Sequence, residues 1–367
     1  MIDRRIIHYF DWINFLITVS LLGIGILFVF STTYSEANPF SIFFKKQVIG
    51  AVSGLMIYIF FSFKSLGNLS RIGYFGYFCT LALLLYTITG GWIGMGAQRW
   101  ISLYLFRFQP SELAKLTLPL FMAFYFTEQR YLSVYQRLHP PFHFFMVPLI
   151  ALGIGFLLIL KQPDLGTALL VLFSGLLMLW ILNITNKFFI IGILATLIAS
   201  PLLWHALQPY QQQRILVLIG QGKSRNERYQ IEQSKIAIGS GSIFGKGLLK
   251  GTQNKLSFLP EDHTDFIFSV ICEEWGLVGA FFVLLLFLLL FWRLVAVTNQ
   301  IEETSEHVIS SGLIAHIMLS VCVNIGMVTG IIPTVGIPLP LLSYGLSNLW
   351  VTCASLGILN NIALRRY

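Results

Sequence analysis

Charged residues are scarce: Asp, Glu, Lys and Arg fill 11% of the 367 positions. A soluble domain carries about 25%. The deficit excludes a chain whose surface faces water throughout. Cysteine is scarce too. Cys79, Cys272, Cys322 and Cys353 stand in or near apolar runs, with no metal-ligand spacing and no disulfide pattern. They read as small buried apolar side chains. No internal repeat is visible, which counts against the inverted-repeat transporter plan. No stretch has the composition of a soluble domain.

What is present is apolar. Hydrophobic residues make up 56% of the chain, in recurring runs near 20 residues, each able to cross a hydrocarbon core of about 30 Å. Spans are expected at 13–33, 44–63, 71–91, 111–128, 142–161, 165–183, 188–206, 265–292, 308–331 and 341–363. The first run is too long for a signal-peptide core. No small-residue cleavage pattern follows it, so it is expected to stay as a signal anchor. The fold expected is an all-α integral membrane protein of about ten transmembrane helices, one polytopic domain over 1–367. A polar, Gly-rich and basic loop is expected at 207–262, carrying Arg214, Lys223, Arg225, Arg228, Lys235, Lys246, Lys250 and Lys255. A connection of that length is usually functional or disordered.

The formal net charge is +8. The basic residues fall in separate loops rather than on one face, which argues against nucleic acid and for an anionic lipid head group or a pyrophosphate. An even number of spans puts both termini on one side. Arg4, Arg5, Lys64, Arg71, Arg130, Arg137, Lys187, Arg293, Arg365 and Arg366 group there, the cytoplasmic side by the positive-inside rule. The long loop, Lys45, Lys46, Arg99 and Arg107 then fall outside. Long loops obey that rule poorly.

Four polar clusters interrupt the apolar pattern, and ionisable groups at membrane depth are functional candidates. In the first, Pro110 and Ser111 read as a helix start. Glu112 and Lys115, three apart, share a face and can pair. The bland alternative is self-neutralisation near the interface. In the second, Lys161 to Thr167, Asp164 can cap the following helix, and capping is its simplest role. In the third, Phe258 to Phe268, Thr264 can cap and Asp265 lies in the first turn, where the helix dipole favours its anion. Ser269, Cys272, Gly276 and Gly279 lie within about 40° of Asp265 on that helix. Such small residues permit close packing or a wet cleft. His263 has no second His or Cys at ligand spacing, which argues against a structural zinc site. The fourth, Gly330 to Gly345, holds three prolines and several glycines, and reads either as the lip of a groove or as a tight turn.

These clusters, in this order and over nearly the whole chain, resemble the SEDS family (RodA/FtsW/SpoVE). The resemblance is carried by Gly96 to Trp100, Phe108 to Lys115, Lys161 to Ala168, Tyr210-Gln211 with Arg214, Gln233 to Gly247, Leu259 to Gly279, and Gly326 to Gly345. Within the family the chain is similar to the elongation branch, RodA, through Gln233 to Gly241 and Gly251-Thr252-Gln253. It departs where Leu346, then Ser347 and Asn348, replace the family's second Gly and small hydroxyl residues. It departs again at Gly220 to Arg228, which lacks the usual Pro and the Gly before Tyr229.

The resemblance implies ten spans in the bacterial cytoplasmic membrane, both termini cytoplasmic and the long loop outside. It implies lipid II and a growing glycan strand as substrates and a class B penicillin-binding protein as partner. It places Asp265 as the essential acid and Glu112–Lys115 as a functional ion pair. Arg99, Gln109, Ser111, Asp164, Arg214, Lys235, His263 and Ser343 are the substrate-binding candidates. The activity implied is polymerisation of lipid II during elongation. The alternatives are a lipid II flippase or a division-branch polymerase of the FtsW type.

In the polymerase reading, Asp265 takes the acceptor hydroxyl's proton as general base, its anion favoured by the dipole. Arg99, Lys115 and the basic loop meet the departing pyrophosphate, alone or with a divalent cation (Mg2+ or Mn2+). No Ser-x-x-Lys stands in a context resembling a transpeptidase, so cross-linking must come from the partner. Its single helix is expected on the spans from 308 to 363, over Gly312, Ala315, Ser320, Gly326, Ala354 and Gly357.

Overall fold

The structure, a computed structural model, describes residues 10–94, 97–103, 106–128, 143–222, 224–256 and 258–365. The expectations resting on Arg4, Arg5, Gly96, Arg130, Arg137, Lys223 and Arg366 fall outside the described residues.

Each apolar run forms a helix. In chain order these are α1 (Trp12–Thr33), α2 (Ile42–Ser62), α3 (Leu66–Gly90), α4 (Pro110–Glu128), α5 (His143–Lys161), α6 (Leu165–Ile181), α7 (Asn186–Ala206), then α11 (Ile267–Thr298), α12 (Thr304–Val328) and α13 (Leu346–Leu364). Short polar side chains set several of the starts. Asp11 accepts from Asn14 N–H, Ser41 from Phe44 N–H and Asp164 from Thr167 N–H. Six of the described helices (α1, α2, α3, α5, α11 and α12) are long and apolar enough to cross a membrane. The chain is a multi-pass membrane protein.

Two expectations are corrected. The segment 207–262 is not one irregular loop: it folds into α8 (Pro209–Leu218), α9 (Arg225–Ser240) and the single turn α10 (Thr252–Lys255). The chain is not purely helical either. Between α3 and α4 lies a small antiparallel sheet, β1 (Trp92–Gly94), β2 (Ala97–Leu103) and β3 (Phe106–Phe108), in the order β1-β2-β3. Arg107 stacks over the Trp92 ring at 3.7 Å, which ties β3 back to β1.

Helices α12 and α13 lie inside the bundle: the apolar window of α12 is 72% buried, and nearly all of α13 from Ser347 to Ala363 is buried. Ala315, Ser320 and Ala354 are all buried. A Cβ on Gly312 would meet Met178 Sδ at 2.4 Å, and one on Gly357 would meet the Tyr58 carbonyl at 2.4 Å. The small residues of 308–363 therefore let helices approach inside the bundle. They do not form an outer surface for a partner helix, which corrects that expectation. By contrast, α7 exposes Ile190, Ile191, Ile193, Leu194, Leu197, Ile198 and Leu202.

At one end of the bundle Arg293 Nε donates to Asp11 Oδ2 at 2.9 Å. Asp11 N–H donates to Asn360 Oδ1 at 3.0 Å, and Asn361 Nδ2 donates to the Lys64 carbonyl. These bonds gather Lys64, Arg293 and Arg365 at that end.

Helix α11 is not continuous. Gly276 has φ 67° and ψ −162°, a conformation that only glycine adopts without strain. The break strips helical partners from neighbouring backbone groups, and residues 242–247 replace them. Lys246 and Gly247 N–H donate to the Glu273 and Glu274 carbonyls at 3.0 and 2.9 Å. Leu277 and Val278 N–H donate to the Ser242 and Ile243 carbonyls at 2.9 and 3.1 Å. Lys246 Nζ, Thr252 N–H and Gln253 N–H converge on Oε1 of buried Glu273 at 2.6, 2.8 and 3.1 Å. The small-residue face expected to run straight from Asp265 through Gly276 to Gly279 is thus interrupted at Gly276.

Candidate active site

At the end of the bundle opposite Arg293, a cavity of about 500 Å³ opens where the β-sheet, α8 and the segment between α12 and α13 meet. Its charged lining is Arg99, Arg214, Glu112, Asp164, Glu261 and Asp265. Trp100, Gln109, Tyr210, Tyr344, Ser347 and Asn348 supply most of the remaining polar and aromatic surface.

Asp265 sits in the turn that leads into α11, not in the helix's first turn. The N–H groups of Thr264, Asp265 and Phe266 all donate to the Glu261 carbonyl, at 3.2, 3.1 and 3.3 Å. The Thr264 hydroxyl donates to the Glu261 carbonyl and to Glu261 Oε2. It does not cap the helix, whose N-cap is Phe266 with no side-chain bond. Burial raises the Asp265 pKa to about 6, and the neighbouring Glu261 carboxylate pushes the same way. Arg214, His263 and Arg99 oppose them. The expected dominance of the helix dipole is therefore corrected: desolvation outweighs it. A carboxylate near 6 is still mostly ionised at neutral pH and is well matched to taking a proton there.

Around it the polar groups interlock. Gln109 Nε2 donates to Asp164 Oδ2 and to Ser111 Oγ, each at 3.0 Å. Asp164 both caps α6 and faces the cavity. Arg99 Nε donates to the Gln162 carbonyl at 2.9 Å, and its Nη2 donates to the Pro163 carbonyl. The Tyr210 hydroxyl donates to that same Pro163 carbonyl. Burial raises the Tyr210 pKa, against the pull of Arg99. The turn between α5 and α6 is thus clamped from β2 and α8 together.

Glu112 and Lys115 pair at 2.7 Å, both about 3% exposed. They are no idle surface contact. Glu112 reaches the cavity while Lys115 lies beneath it. Of the other sequence candidates, Ser111 is fully buried behind Gln109. Ser343 Oγ accepts from Leu339 N–H at 2.8 Å and holds a turn. His263 stands between Phe43 and Tyr344, with ring centroids 4.8 and 5.7 Å away. Lys235 is on α9 beside Gly330, outside the cavity lining. Lys115 and Lys235 are therefore not cations of the cavity wall, and among the described residues of the segment 207–262 Arg214 is its one Lys or Arg. The segment from Gly330 to Gly345 forms a wall through Val335, Gly336, Pro338 and Tyr344.

Sequence reasoning passed over Glu261, Trp100 and Asn324 as individual site residues. An Asn inside an apolar helix was the available signal for the last. Among the described residues no three His, Cys, Asp or Glu side chains are grouped to hold a metal ion.

Comparison with known proteins agrees with this architecture. Residues 12–367 match the family model for FtsW, RodA and SpoVE, described as "Cell cycle protein". The chain is 42% identical over 295 residues to the peptidoglycan glycosyltransferase MrdB of Escherichia coli (strain K12), covering 79% of this chain and 77% of that one. It is 31% identical to the peptidoglycan glycosyltransferase RodA of Treponema pallidum (strain Nichols), covering 97% and 98%. Among solved structures it resembles the rod shape determining protein RodA of Thermus thermophilus, with TM-score 0.70, 28% identity and 98% of each chain covered. It also resembles a chain from a peptidoglycan synthase complex, solved to show structural coordination of polymerization and crosslinking, with TM-score 0.80, 28% identity and 98% coverage of both. The chain belongs to the FtsW/RodA/SpoVE family of cell cycle proteins.

Proposed function

We propose that this chain is a peptidoglycan glycosyltransferase of the elongation branch, polymerising lipid II into glycan strands. The observation that carries the reading is the placement of Asp265 in a charged cavity that also holds Arg99 and Arg214. In the reaction, the 4-hydroxyl of an acceptor sugar attacks the anomeric carbon of a lipid-pyrophosphate donor. The new C1–O4 bond forms as the bond from C1 to the pyrophosphate oxygen breaks. The hydroxyl proton passes to Asp265, and the pyrophosphate leaves on its lipid. A base in that position contributes roughly 10²–10⁴-fold. Negative charge grows on the leaving group, and Arg99 and Arg214 are the cavity's cations available to it. Glu112, held by Lys115, lines the same cavity.

In this reading the chain is a single polytopic domain with ten spans in the bacterial cytoplasmic membrane. Both termini are cytoplasmic and the cavity opens outward, where polymerised wall is laid down. A class B penicillin-binding protein supplies the cross-linking chemistry. Incubating the purified protein with lipid II and resolving the products on a gel tests the activity. A ladder of glycan polymer is expected. Unreacted lipid II, translocated across vesicles but never joined, would point to the flippase instead.

A further inference from the structure

Asn324 lies on α12, a helix packed inside the bundle, and is itself fully buried. A primary amide there is costly unless it is hydrogen-bonded. Its Nδ2 donates twice, to the Asp265 carbonyl at 2.9 Å and to the Ile337 carbonyl at 2.8 Å. Among the described residues its Oδ1 has no partner. The amide is thus used only as a double donor, and both acceptors are backbone groups of irregular segments. One is the turn that carries Asp265. The other is the proline-rich wall between α12 and α13.

That wall bears directly on the carboxylate. Gly336, adjacent to Ile337, has φ +70°, and a Cβ built on it would lie 3.5 Å from Asp265 Oδ2. Neither segment has a regular ladder to hold it. A helix buried in the bundle core is the rigid body on which both can be fixed. A hydrophobic residue of equal size would fill the same space and leave two buried carbonyls unpaired.

We propose that Asn324 is the positioning residue for the reaction, fixing the turn of Asp265 and the Gly336–Ile337 wall at a set distance from each other. This rests on the assignment of Asp265 as the base. Asn324 touches neither substrate nor reacting atoms; it acts through the two carbonyls. The carboxylate's setting is completed by Glu261 and His263 from its own turn, Arg214 from α8, and Arg99 from β2. Glu112 and Asp164 line the same cavity from α4 and the turn before α6.

The test is steady-state lipid II polymerisation by the full-length Asn324→Leu and Asn324→Ser variants in detergent. Leu removes both donors at near-constant volume; Ser keeps one. A displacement of about 1 Å can cost about 10²-fold in rate, so the Leu variant is expected to lose about 10- to 100-fold in kcat with KM within about twofold. Ser is expected to fall between Leu and wild type. The pH at which activity is lost on acidification is expected to move in the Leu variant, because the setting of Asp265 has changed. Should Leu fail to fold, judged by its melting curve, the Ser variant carries the same readouts. Wild-type kcat in the variants, or a loss confined to KM, overturns the positioning role. Asp265→Asn, run alongside, keeps the two ideas separate: wild-type turnover in that variant sinks the base assignment and leaves the Asn324 measurement readable on its own.

Discussion

Asn348 Nδ2 donates to Glu112 Oε2 at 3.0 Å, the same oxygen that Lys115 Nζ meets at 2.7 Å. One carboxylate oxygen thus joins the cavity wall to a cation beneath it. Removing either charge leaves the other buried and uncompensated, at roughly 3–5 kcal/mol. Glu112→Ala and Lys115→Ala are each expected to lose polymerase activity and to melt at lower temperature. Wild-type activity in both single variants would reduce the pair to a structural accessory. Asn348→Asp places a second acid against Glu112 and is expected to weaken activity, whereas Asn348→Ser retains more.

Asp265→Ala and Asp265→Asn are expected to lower polymerisation by about 10²–10⁴-fold while expression stays near wild type. Substantial turnover in the Asn variant would count against proton abstraction by this carboxylate.

The pH behaviour follows from the raised pKa of Asp265, about 6 against 3.8 for the free side chain. Activity needs the ionised form, so it is expected to fall as pH drops through about 6. For stability the sign is opposite to that of a salt-bridged acid. Between about 4 and 6 the folded state binds more protons than the unfolded state, so this group's contribution weakens as pH rises through that window. Asp265→Asn is therefore expected to raise the melting temperature at pH 7.5 and to lose that gain toward pH 4. Melting curves at the two pH values check it. An equal change at both would place the stability effect elsewhere.

Much of this was legible in the sequence. Each helix of the bundle is announced by an apolar run, because lipid and core both demand one. Asp164 was readable as a cap, because capping depends on residues three apart. Other features were not readable, for physical reasons. The start of α11 is set by three N–H groups converging on the Glu261 carbonyl, a choice of backbone geometry rather than of composition. The β1-β2-β3 sheet is short and its Trp, Arg and Gln side chains follow no period-two pattern. The small residues of 308–363 look alike whether they meet lipid, a partner or their own bundle; only packing separates these cases. The pairing of Asn324 with Asp265 spans 59 positions and leaves no local pattern.

Gly276 tests the break in α11. A Cβ there would lie 2.3 Å from Gly245 N, and one on Gly245 would lie 2.1 Å from the Glu274 carbonyl. Both glycines also have positive φ. Gly276→Ala and Gly245→Ala are each expected to destabilise the protein by about 1–3 kcal/mol or more, seen as a lower melting temperature and poorer yield. Wild-type melting in both would mean that the break relaxes freely.

The outward placement of the segment between α7 and α11 can be read by labelling. A cysteine at Ser224, on a background lacking Cys79, Cys272, Cys322 and Cys353, is expected to react with an impermeant thiol reagent in intact spheroplasts. Reaction only after lysis would invert the proposed topology.

The repair of α11 by residues 242–247 has a consequence for how the chain is made. The helix that follows Asp265 is not closed by its own sequence: carbonyls at Glu273 and Glu274, and N–H groups at Leu277 and Val278, take their partners from outside it. In lipid each such group left bare costs several kcal/mol. The donor segment is translated some 20 residues ahead of the helix it completes, so it is already waiting when the helix emerges. A circular permutant opened between Lys250 and Leu259 would reverse that order. It would ask the membrane to accept a broken helix before its splint exists.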